Sequence, residues 1–564
     1  VTSSIEAPPR PPASHATTVK ELVEHLTSAG HAPILTPESG TAERTPLTGA
    51  TMSPQQVRAG DLFIAVRGAR AHGADFIEEA YGAGAAAVVT DAAGVAKVRE
   101  ALGYSIPVIE VNRVRDAAGP AAGAVYGTTP TSDPSLFGVT GTNGKTTTTY
   151  FLRSLLSSLL APQSRSTGLI GTIEIAAGLT PETSERIASD MTTPEAPALH
   201  GLMHRFRTEN VAAAAMEVSS HSISYRRIAG LHFDVAGFTN LTQDHLDLHG
   251  TMEEYCAAKA KLFSQARTRT SVITVDDSWG HRMAAEAEGR VITLTTAGGP
   301  TEAHWSVGDV SPAGLGSAFT LESTLTGERI RTSTALPGAF NVSNAALAAV
   351  MVLEAASDPQ RPQRFDREDV IRALEQSRPF DVAVPGRMQV ICEKPAAIVD
   401  FAHNPDAMIR ALEAVRGPER SGKLILVIGA AGERDASKRP TMGAIAARMA
   451  DHVIISDDDP HAEDPAQIRA GLMEGAADAV EGGGLTTTVE EIFPRRAAIE
   501  AAVAAASPED TILLAGRGHE DHQDVGGERV DVDDRVELAH ALRAKGFDCT
   551  ELAPGADSRK GVSS

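Results

Sequence analysis

The sequence predicts an α/β protein of several domains, on three observations. Its 564 residues exceed what one hydrophobic core organises. Short apolar, β-branched runs alternate with helical patterns along most of the chain. A run from Leu136 to Thr140 passes through a glycine turn into Lys145-Thr146 and then a stretch with Leu152, Leu155, Leu156 and Leu159 at helical spacing.

That last stretch, Gly-Val-Thr-Gly141-Thr142-Asn143-Gly144-Lys145-Thr146-Thr147, is the grammar of a phosphate-binding loop. Glycines let backbone N–H groups turn toward a triphosphate, the helix N-terminus adds positive potential, and lysine neutralises the β/γ oxygens. The Thr146 hydroxyl is then placed to ligate Mg²⁺. Val139 stands where the usual spacing has glycine.

Composition narrows the class. The apolar fraction of 42% is ordinary for a globular protein, and three scattered cysteines (Cys256, Cys392, Cys549) predict neither a disulfide framework nor a thiolate zinc site, consistent with a cytoplasmic location. A net charge of −22 argues against nucleic-acid binding. No apolar run is expected to reach the roughly 18–20 residues that span a bilayer, so no membrane insertion is predicted. The first residues are Pro- and Ser-rich and read as a flexible tail.

Along the chain, Thr18-Val-Lys-Glu21 has capping-box spacing before a helix with Val19, Leu22, Val23 and Leu26 on one face. Asp61 to Val66, Ala85 to Val89 and Ile106 to Val111 read as strands, with a helix from Asp75 to Gly82, and the Thr128–Pro134 stretch as a linker. After the phosphate loop, an apolar strand ends at Glu217-Val-Ser219-Ser220-His221, where a second Mg²⁺ ligand belongs in a nucleotide-binding fold. Asp244, His245, Asp247 and His249 crowd six residues, a pattern suited to metal or phosphate chemistry. Read alone, Lys259 is a solvated helix lysine. Pro337 to Asn344 enters an Ala-rich helix and reads as its N-cap region. A third α/β region carries strands ending near Asp400, Gly429, Ser456 and Gly516, and polar groups beyond strand ends (Arg434, Asp458, His519, Glu520) are candidates for a second substrate.

Taken together and in order, Gly-Val-Thr-Gly-Thr-Asn-Gly-Lys-Thr-Thr, Met-Glu-Val-Ser-Ser-His, Asp-His-Leu-Asp-Leu-His-Gly, Ala-Ala-Lys, Phe-Asn-Val-Ser-Asn, Pro-Gly-Arg-Met, Asp-Phe-Ala-His-Asn-Pro-Asp-Ala, Lys-Arg-Pro and Gly-Arg-Gly-His-Glu-Asp resemble the Mur ligase family from about residue 18 to 545. The likeness is greatest to the branch that adds the third amino acid of the peptidoglycan precursor. The resemblance implies three domains: a UDP-sugar domain at 18–133, a central P-loop ATPase with a parallel-rich sheet at 134–382, and a Rossmann-like C-terminal domain at 383–550 that brings the amino acid and closes over ATP. Tails are expected at 1–17 and 551–564. It implies a monomer that uses ATP, UDP-MurNAc-dipeptide and a diamino acid, and forms an acyl phosphate on the D-Glu γ-carboxylate.

The resemblance also implies roles. Lys145 contacts the β/γ-phosphates, Thr146 and Glu217 share one Mg²⁺, and His245 helps hold a second metal. Lys259 carries a CO₂-derived carbamate and becomes a metal ligand. Asn344, Arg387 and Asp400 serve the nucleotide. Thr192, Thr193, Ser219 and Arg227, with Arg70 in the N-terminal domain, serve the muramoyl-dipeptide. Arg434, Asp458, Asp459, His461, Gly516 and Glu520 serve the amino acid.

Four segments depart from the family pattern. Tyr225 replaces a glutamine, Thr274 an asparagine before Asp276-Asp277, and Ser53-Pro54-Gln55 a uracil-loop Asp-Ser-Arg. Asp458-Asp459-Pro460-His461 replaces Asp-Asn-Pro-Arg, trading a planar fork for a carboxylate against an added negative charge. On that exchange the expected amine is L-lysine first and ornithine next, with meso-diaminopimelate as the alternative. More remote alternatives are a folylpolyglutamate-synthase-like ligase, a nucleotide-switch protein and a non-catalytic relative. The switch lacks an Asn-Lys-x-Asp segment here, and the non-catalytic relative is disfavoured by Lys145, Glu217, His245 and Lys259.

Overall fold

The computed structural model describes residues 17–68, 70–130, 134–180, 183–189, 191–297, 302–358, 365–416 and 422–549. Both expected tails, except Thr17, and the middle of the 128–134 linker lie outside the described residues. The chain divides into two compact units: residues 1–306, 323–328 and 347–377, and residues 307–322, 329–346 and 378–564.

In the first unit, a five-stranded sheet comprises β1 (Ile34–Thr36), β2 (Gly49–Thr51), β3 (Asp61–Ile64), β4 (Ala87–Thr90) and β5 (Val108–Glu110), in the order β1-β5-β4-β3-β2. Only β1 pairs antiparallel. The capping box ahead of it forms: the Thr18 N–H donates to Glu21 Oε2 at 2.7 Å and the Glu21 N–H to Thr18 Oγ1 at 3.3 Å. Val19, Leu22 and Leu26 of that helix are fully buried, each large side chain contributing about 1.5–3 kcal/mol by transfer from water.

The second sheet of this unit is built from β6 (Ser135–Thr140), β7 (Ser166–Ile170), β8 (Glu174–Gly178), β9 (Glu185–Ala188), β10 (Val211–Glu217), β11 (Phe233–Phe238), β12 (Thr268–Thr274) and β13 (Arg290–Thr295). Its order is β9-β8-β7-β10-β6-β11-β12-β13, parallel from β7 onward, with an antiparallel ribbon at the β9 end. Strand β6 sits in the middle and is buried at all six residues. That is why its sequence is a continuous apolar run rather than an alternating one.

The second unit holds β14 (Gln389–Cys392), β15 (Ala396–Asp400), β16 (Leu424–Ile428), β17 (His452–Ile455), β18 (Thr488–Glu491) and β19 (Thr511–Ala515), in the order β14-β15-β19-β16-β17-β18. All pairs but β14/β15 are parallel, and β19 returns between β15 and β16. The strand order therefore reverses beside β19, where open α/β sheets place their ligands.

One helix, Ala339–Ala356, has the length and apolarity to cross a bilayer, contrary to the expectation of no such run, and 78% of it is buried inside the fold. Burial explains its hydropathy. The helix begins at Ala339, so Asn341 lies within its first turn, where its Nδ2 donates to the Pro337 carbonyl at 2.8 Å instead of capping free N–H groups.

Candidate functional site

The phosphate loop leaves the carboxyl end of β6, and the parallel register sets Glu217 of β10 beside Val139. Gly144 takes φ +88° as the helix Lys145–Leu160 begins, a conformation that favours glycine. Lys145 Nζ donates to the carbonyls of Gly141 (3.1 Å) and Thr142 (2.9 Å). The loop is braced from behind: the Asn143 N–H donates to Asn240 Oδ1 at 3.1 Å and the Thr142 N–H to the Asn240 carbonyl at 2.9 Å.

Glu217 is 1% exposed and receives three donors: the Thr146 hydroxyl at 3.0 Å, the Thr172 hydroxyl at 3.1 Å and the Thr172 N–H at 2.8 Å. A carboxylate held this way has its position fixed before any cation arrives. Thr146 and Glu217 are hard oxygen donors, and Mg²⁺ characteristically takes only one or two protein ligands and completes its octahedron with phosphate and water. Among the described residues no three His, Cys, Asp or Glu side chains converge as a protein-only metal cage. The donors present thus fit Mg²⁺ with a triphosphate rather than a structural metal.

Lys259 overturns the solvated reading. Thr251 caps the helix Met252–Ala260, and Lys259 on its last turn is 1% exposed. Its Nζ donates to the Gly141 carbonyl at 2.9 Å and lies 4.5 Å from the Tyr255 ring centre. Burial, reinforced by the nearby Lys145 charge, pushes the Lys259 ammonium well below the usual lysine range. A neutral amine is the form that adds to CO₂, so the surroundings fit a carbamate.

His245 has φ +52° and stays 44% exposed, with Nε2 3.6 Å from Asp244 and its ring edge-on to His221 at 4.9 Å. Burial first, then His221, lowers its pKa to about 4 despite Asp244. The Asp247 side chain lies outside the described residues.

Beside Glu217 lie the residues expected to take the dipeptide. Thr192 Oγ1 lies 3.1 Å from Thr172 Oγ1, and the buried Thr193 hydroxyl donates to the Glu217 carbonyl at 3.0 Å. Arg227 donates to Glu195 Oε1 (2.9 Å) and to the Thr193 carbonyl (3.1 Å), and Ser219 caps the short helix Ser220–Ser224. Tyr225 is 40% exposed and flanked by Arg115 and Arg227, whose guanidinium carbons lie 5.6 and 5.9 Å from its ring centre. Arg70 is exposed and is not drawn into this set. Asp276 accepts from Thr295 and Thr296 and Asp277 caps the helix Ser278–Glu286, so that pair is architectural.

In the second unit the candidates gather at strand ends. Asp400 closes β15 and accepts from the N–H groups of Met388 (2.7 Å) and Ala402 (2.9 Å); burial raises its pKa. Arg387 stacks 4.1 Å over the Phe401 ring, and Asn344 Nδ2 donates to Asn341. Asp458 is buried against Gly516: a Cβ at residue 516 would collide with Asp458 Oδ2. Asp459 accepts from the Asp524 N–H at 2.6 Å. His461, at φ +51°, sits between two carboxylates, with Nδ1 3.4 Å from Asp524 and Nε2 3.8 Å from Asp459. Glu520, desolvated and facing Asp458, is pushed up to about 8. Arg434 is exposed on the loop after β16 and stands apart from this cluster's contacts.

Family models match the chain in three blocks: Mur ligase family, catalytic domain, at residues 47–126; Mur ligase middle domain at 139–352; and Mur ligase, glutamate ligase domain, at 386–518. The UDP-N-acetylmuramoyl-L-alanyl-D-glutamate--2,6-diaminopimelate ligase of Streptomyces coelicolor is 41% identical over 540 residues, 95% of this chain and 98% of that protein. The chain belongs to the Mur ligase family. It is an ATP-dependent, ADP-forming amide ligase of peptidoglycan biosynthesis.

Other Mur ligases extend the comparison. The UDP-N-acetylmuramyl-tripeptide synthetase of Leifsonia xyli is 41% identical over 516 residues, covering 90% of this chain and 94% of that one. A 2,6-diaminopimelate ligase of Corynebacterium efficiens is 43% identical, covering 86% and 87%. A solved structure of such a ligase matches with TM-score 0.62 at 28% identity, over 95% of this chain and 100% of that one. The Mur ligases of known structure share the three-domain α/β arrangement.

These relatives correct one expectation. They support the ligase reaction but not the ranking of lysine and ornithine above diaminopimelate, since those with a named amino acid are named for 2,6-diaminopimelate. The Mur ligase pattern had pointed to an arginine at 461, and its loss was read as loss of a carboxylate site; an imidazole remains there that can still donate to a carboxylate. Sequence reasoning also passed over Thr172, Glu195 and Asn240. Thr172 and Asn240 each stand just beyond the carboxyl end of a parallel strand, β7 and β11, which was the available signal.

Proposed function

We propose that the chain joins 2,6-diaminopimelate through an amide bond to the γ-carboxylate of D-Glu in UDP-MurNAc-dipeptide, using ATP. What carries this reading is a buried, neutral-leaning Lys259 that donates to the phosphate-loop carbonyl of Gly141, on a chain matching diaminopimelate ligases over nearly its full length. An oxide is too poor a leaving group for direct amide formation. The γ-carboxylate oxygen therefore attacks ATP's γ-phosphorus, ADP leaves, and an acyl phosphate forms. The neutral amine adds to the carbonyl carbon, phosphate departs, and one proton is released.

Meeting of carboxylate and triphosphate is a clash of like charges, so the residues supply cations and fixed dipoles. Lys145 faces the β/γ-phosphates, and loop N–H groups from Gly141 to Thr147 cradle them. Thr146 and Glu217 hold Mg²⁺, which when bound offsets charge developing on the transferred phosphoryl group. Lys259 as its carbamate and His245 hold a second ion. Thr192, Thr193, Ser219 and Arg227 orient the dipeptide, with Arg70 assigned to the sugar nucleotide. Asn344, Arg387 and Asp400 serve the nucleotide. Arg434 holds the α-carboxylate of the incoming amino acid, and Asp458, Asp459, His461, Gly516 and Glu520 line its place. We further infer a cytoplasmic monomer with domains at 18–133, 134–382 and 383–550.

ADP release measured with UDP-MurNAc-dipeptide and, separately, meso-diaminopimelate, L-lysine and ornithine tests the reading. ADP is expected only with acceptor and amine both present, and fastest with diaminopimelate. Equal or faster turnover of lysine overturns the amine assignment; release without the dipeptide overturns the acceptor.

A further inference from the structure

Behind the Gly516–Asp521 turn lie three ionic side chains with no exposed surface, Arg495, Arg517 and Asp534. Arg495 opens the helix Arg495–Ala505 and Asp534 opens the helix Asp534–Ala544. Arg495 grips Asp534 through Nη2 (2.6 Å) and Nε (3.3 Å), and its Nη2 also donates to the Ala515 carbonyl at the end of β19 (3.1 Å). Arg517 Nη2 donates to the carbonyls of His522 (2.8 Å) and Val532 (3.0 Å), while its Nε lies 3.7 Å from Asp534.

The charges do not balance within the trio. Two guanidinium groups share one carboxylate, and Arg495 Nη1 with Arg517 Nε and Nη1 have no hydrogen-bond partner among the described residues. Buried cations with unspent donors are costly, so a structural role alone would favour replacing one of them by an apolar side chain. The remaining positive charge faces two further carboxylates. Arg517 Nη1 is 3.9 Å from Glu520 Oε2, and Asp458 is buried against Gly516, the residue immediately before Arg517.

We propose that Arg517, braced by the Arg495–Asp534 pair, is a positioning residue that holds the Glu520 and Asp458 carboxylates toward the cationic end of the incoming diamino acid. The proposal rests on the ligase reading above. Arg517 does not touch the substrate; it draws two buried acidic side chains to one side and favours the ionised form in which they receive an ammonium. Its positive charge holds them there until an ammonium takes over part of that role.

Steady-state kinetics on the full-length enzyme, with wild type, Arg517→Met and Arg517→Lys, test this. Arg517→Met is expected to raise KM for diaminopimelate at least ten-fold while KM for ATP and for UDP-MurNAc-dipeptide change less than two-fold. Arg517→Lys is expected to recover most of the loss. Should the methionine variant not fold, Arg517→Gln is compared alone and on a Glu520→Gln background, where its effect should shrink because one of the two carboxylates it holds is gone. Unchanged KM for diaminopimelate in the folded variants, a parallel rise in all three KM values, or additive effects in the double variant each overturn it. A wild-type enzyme inactive with every diamino acid instead overturns the ligase assignment, so the two failures are distinct.

Discussion

Lys145 and Lys259 donate to the same acceptor, the carbonyl of Gly141, at 3.1 and 2.9 Å. Two amines at one carbonyl repel when both are charged, and only Lys259 is fully buried, so Lys259 gives way. Reaction with CO₂ would give it a negative charge and turn repulsion from Lys145 into attraction. Enzyme equilibrated with ¹³C-bicarbonate should show one carbamate carbon by NMR, absent in Lys259→Met. That variant should lose at least about 100-fold in kcat, the scale of a removed electrostatic group. A wild-type spectrum without the carbamate signal contradicts the assignment.

Glu217 accepts from three donors, and an amide in its place keeps one oxygen acceptor but sets an uncharged NH2 group against either the two hydroxyls or the backbone N–H. Glu217→Gln should lower kcat by about 10²–10³ and move half-saturation by Mg²⁺ upward. Thr172→Val removes only one donor and should produce a smaller shift in the same direction. An unchanged Mg²⁺ titration in both rules out Glu217 as a metal ligand.

Glu520 gives a pH signature. Its carboxyl is raised to about 8, by burial first and then by Asp458, with Asp459 adding and Arg517 and Arg387 opposing. Between about 4.5 and 8 the folded protein holds a proton here that the unfolded chain has released. This contribution to stability is complete below the lower value and is lost as pH rises through 8. Chemical denaturation of wild type against Glu520→Gln should show that difference in slope across pH 5–9. In the same window KM for the diamino acid should fall as pH rises toward 8, because the carboxylate form receives the ammonium. A KM that is flat in pH, or equally sloped in the glutamine variant, removes Glu520 from the amine site.

His461 lies between Asp459 and Asp524 and can still donate to a distal carboxylate. His461→Ala should raise KM for meso-diaminopimelate about ten-fold, near the worth of one charge-assisted hydrogen bond, and leave that for L-lysine unchanged. The opposite ordering would show that this segment reads ammonium rather than carboxylate.

Much of this fold was legible because its central strands are buried on both faces. β6, β16 and β19 are continuous apolar runs, and the phosphate loop and strand-end acids follow from where such strands stop. Lys259 was legible only through the family resemblance: nothing in Ala-Ala-Lys-Ala-Lys itself distinguishes a lysine turned under Gly141 from one turned to water, and tertiary packing separates Lys259 from its neighbour Lys261. The ribbon strand β9 escaped notice for the converse reason, being mostly exposed with no apolar face to read. The amine preference failed differently. It weighed the arginine missing at 461 together with the charge of Asp459, whereas the structure also sets Asp524, 63 residues further along, against that histidine.

Gly516 holds φ +112° with Asp458 lying in the space a side chain there would fill. Residue 516 is therefore a control point for a carboxylate it does not itself carry. A methyl group at 516 would push the Asp458 carboxylate aside without altering residue 458, so the backbone of one turn fixes where that carboxylate stands.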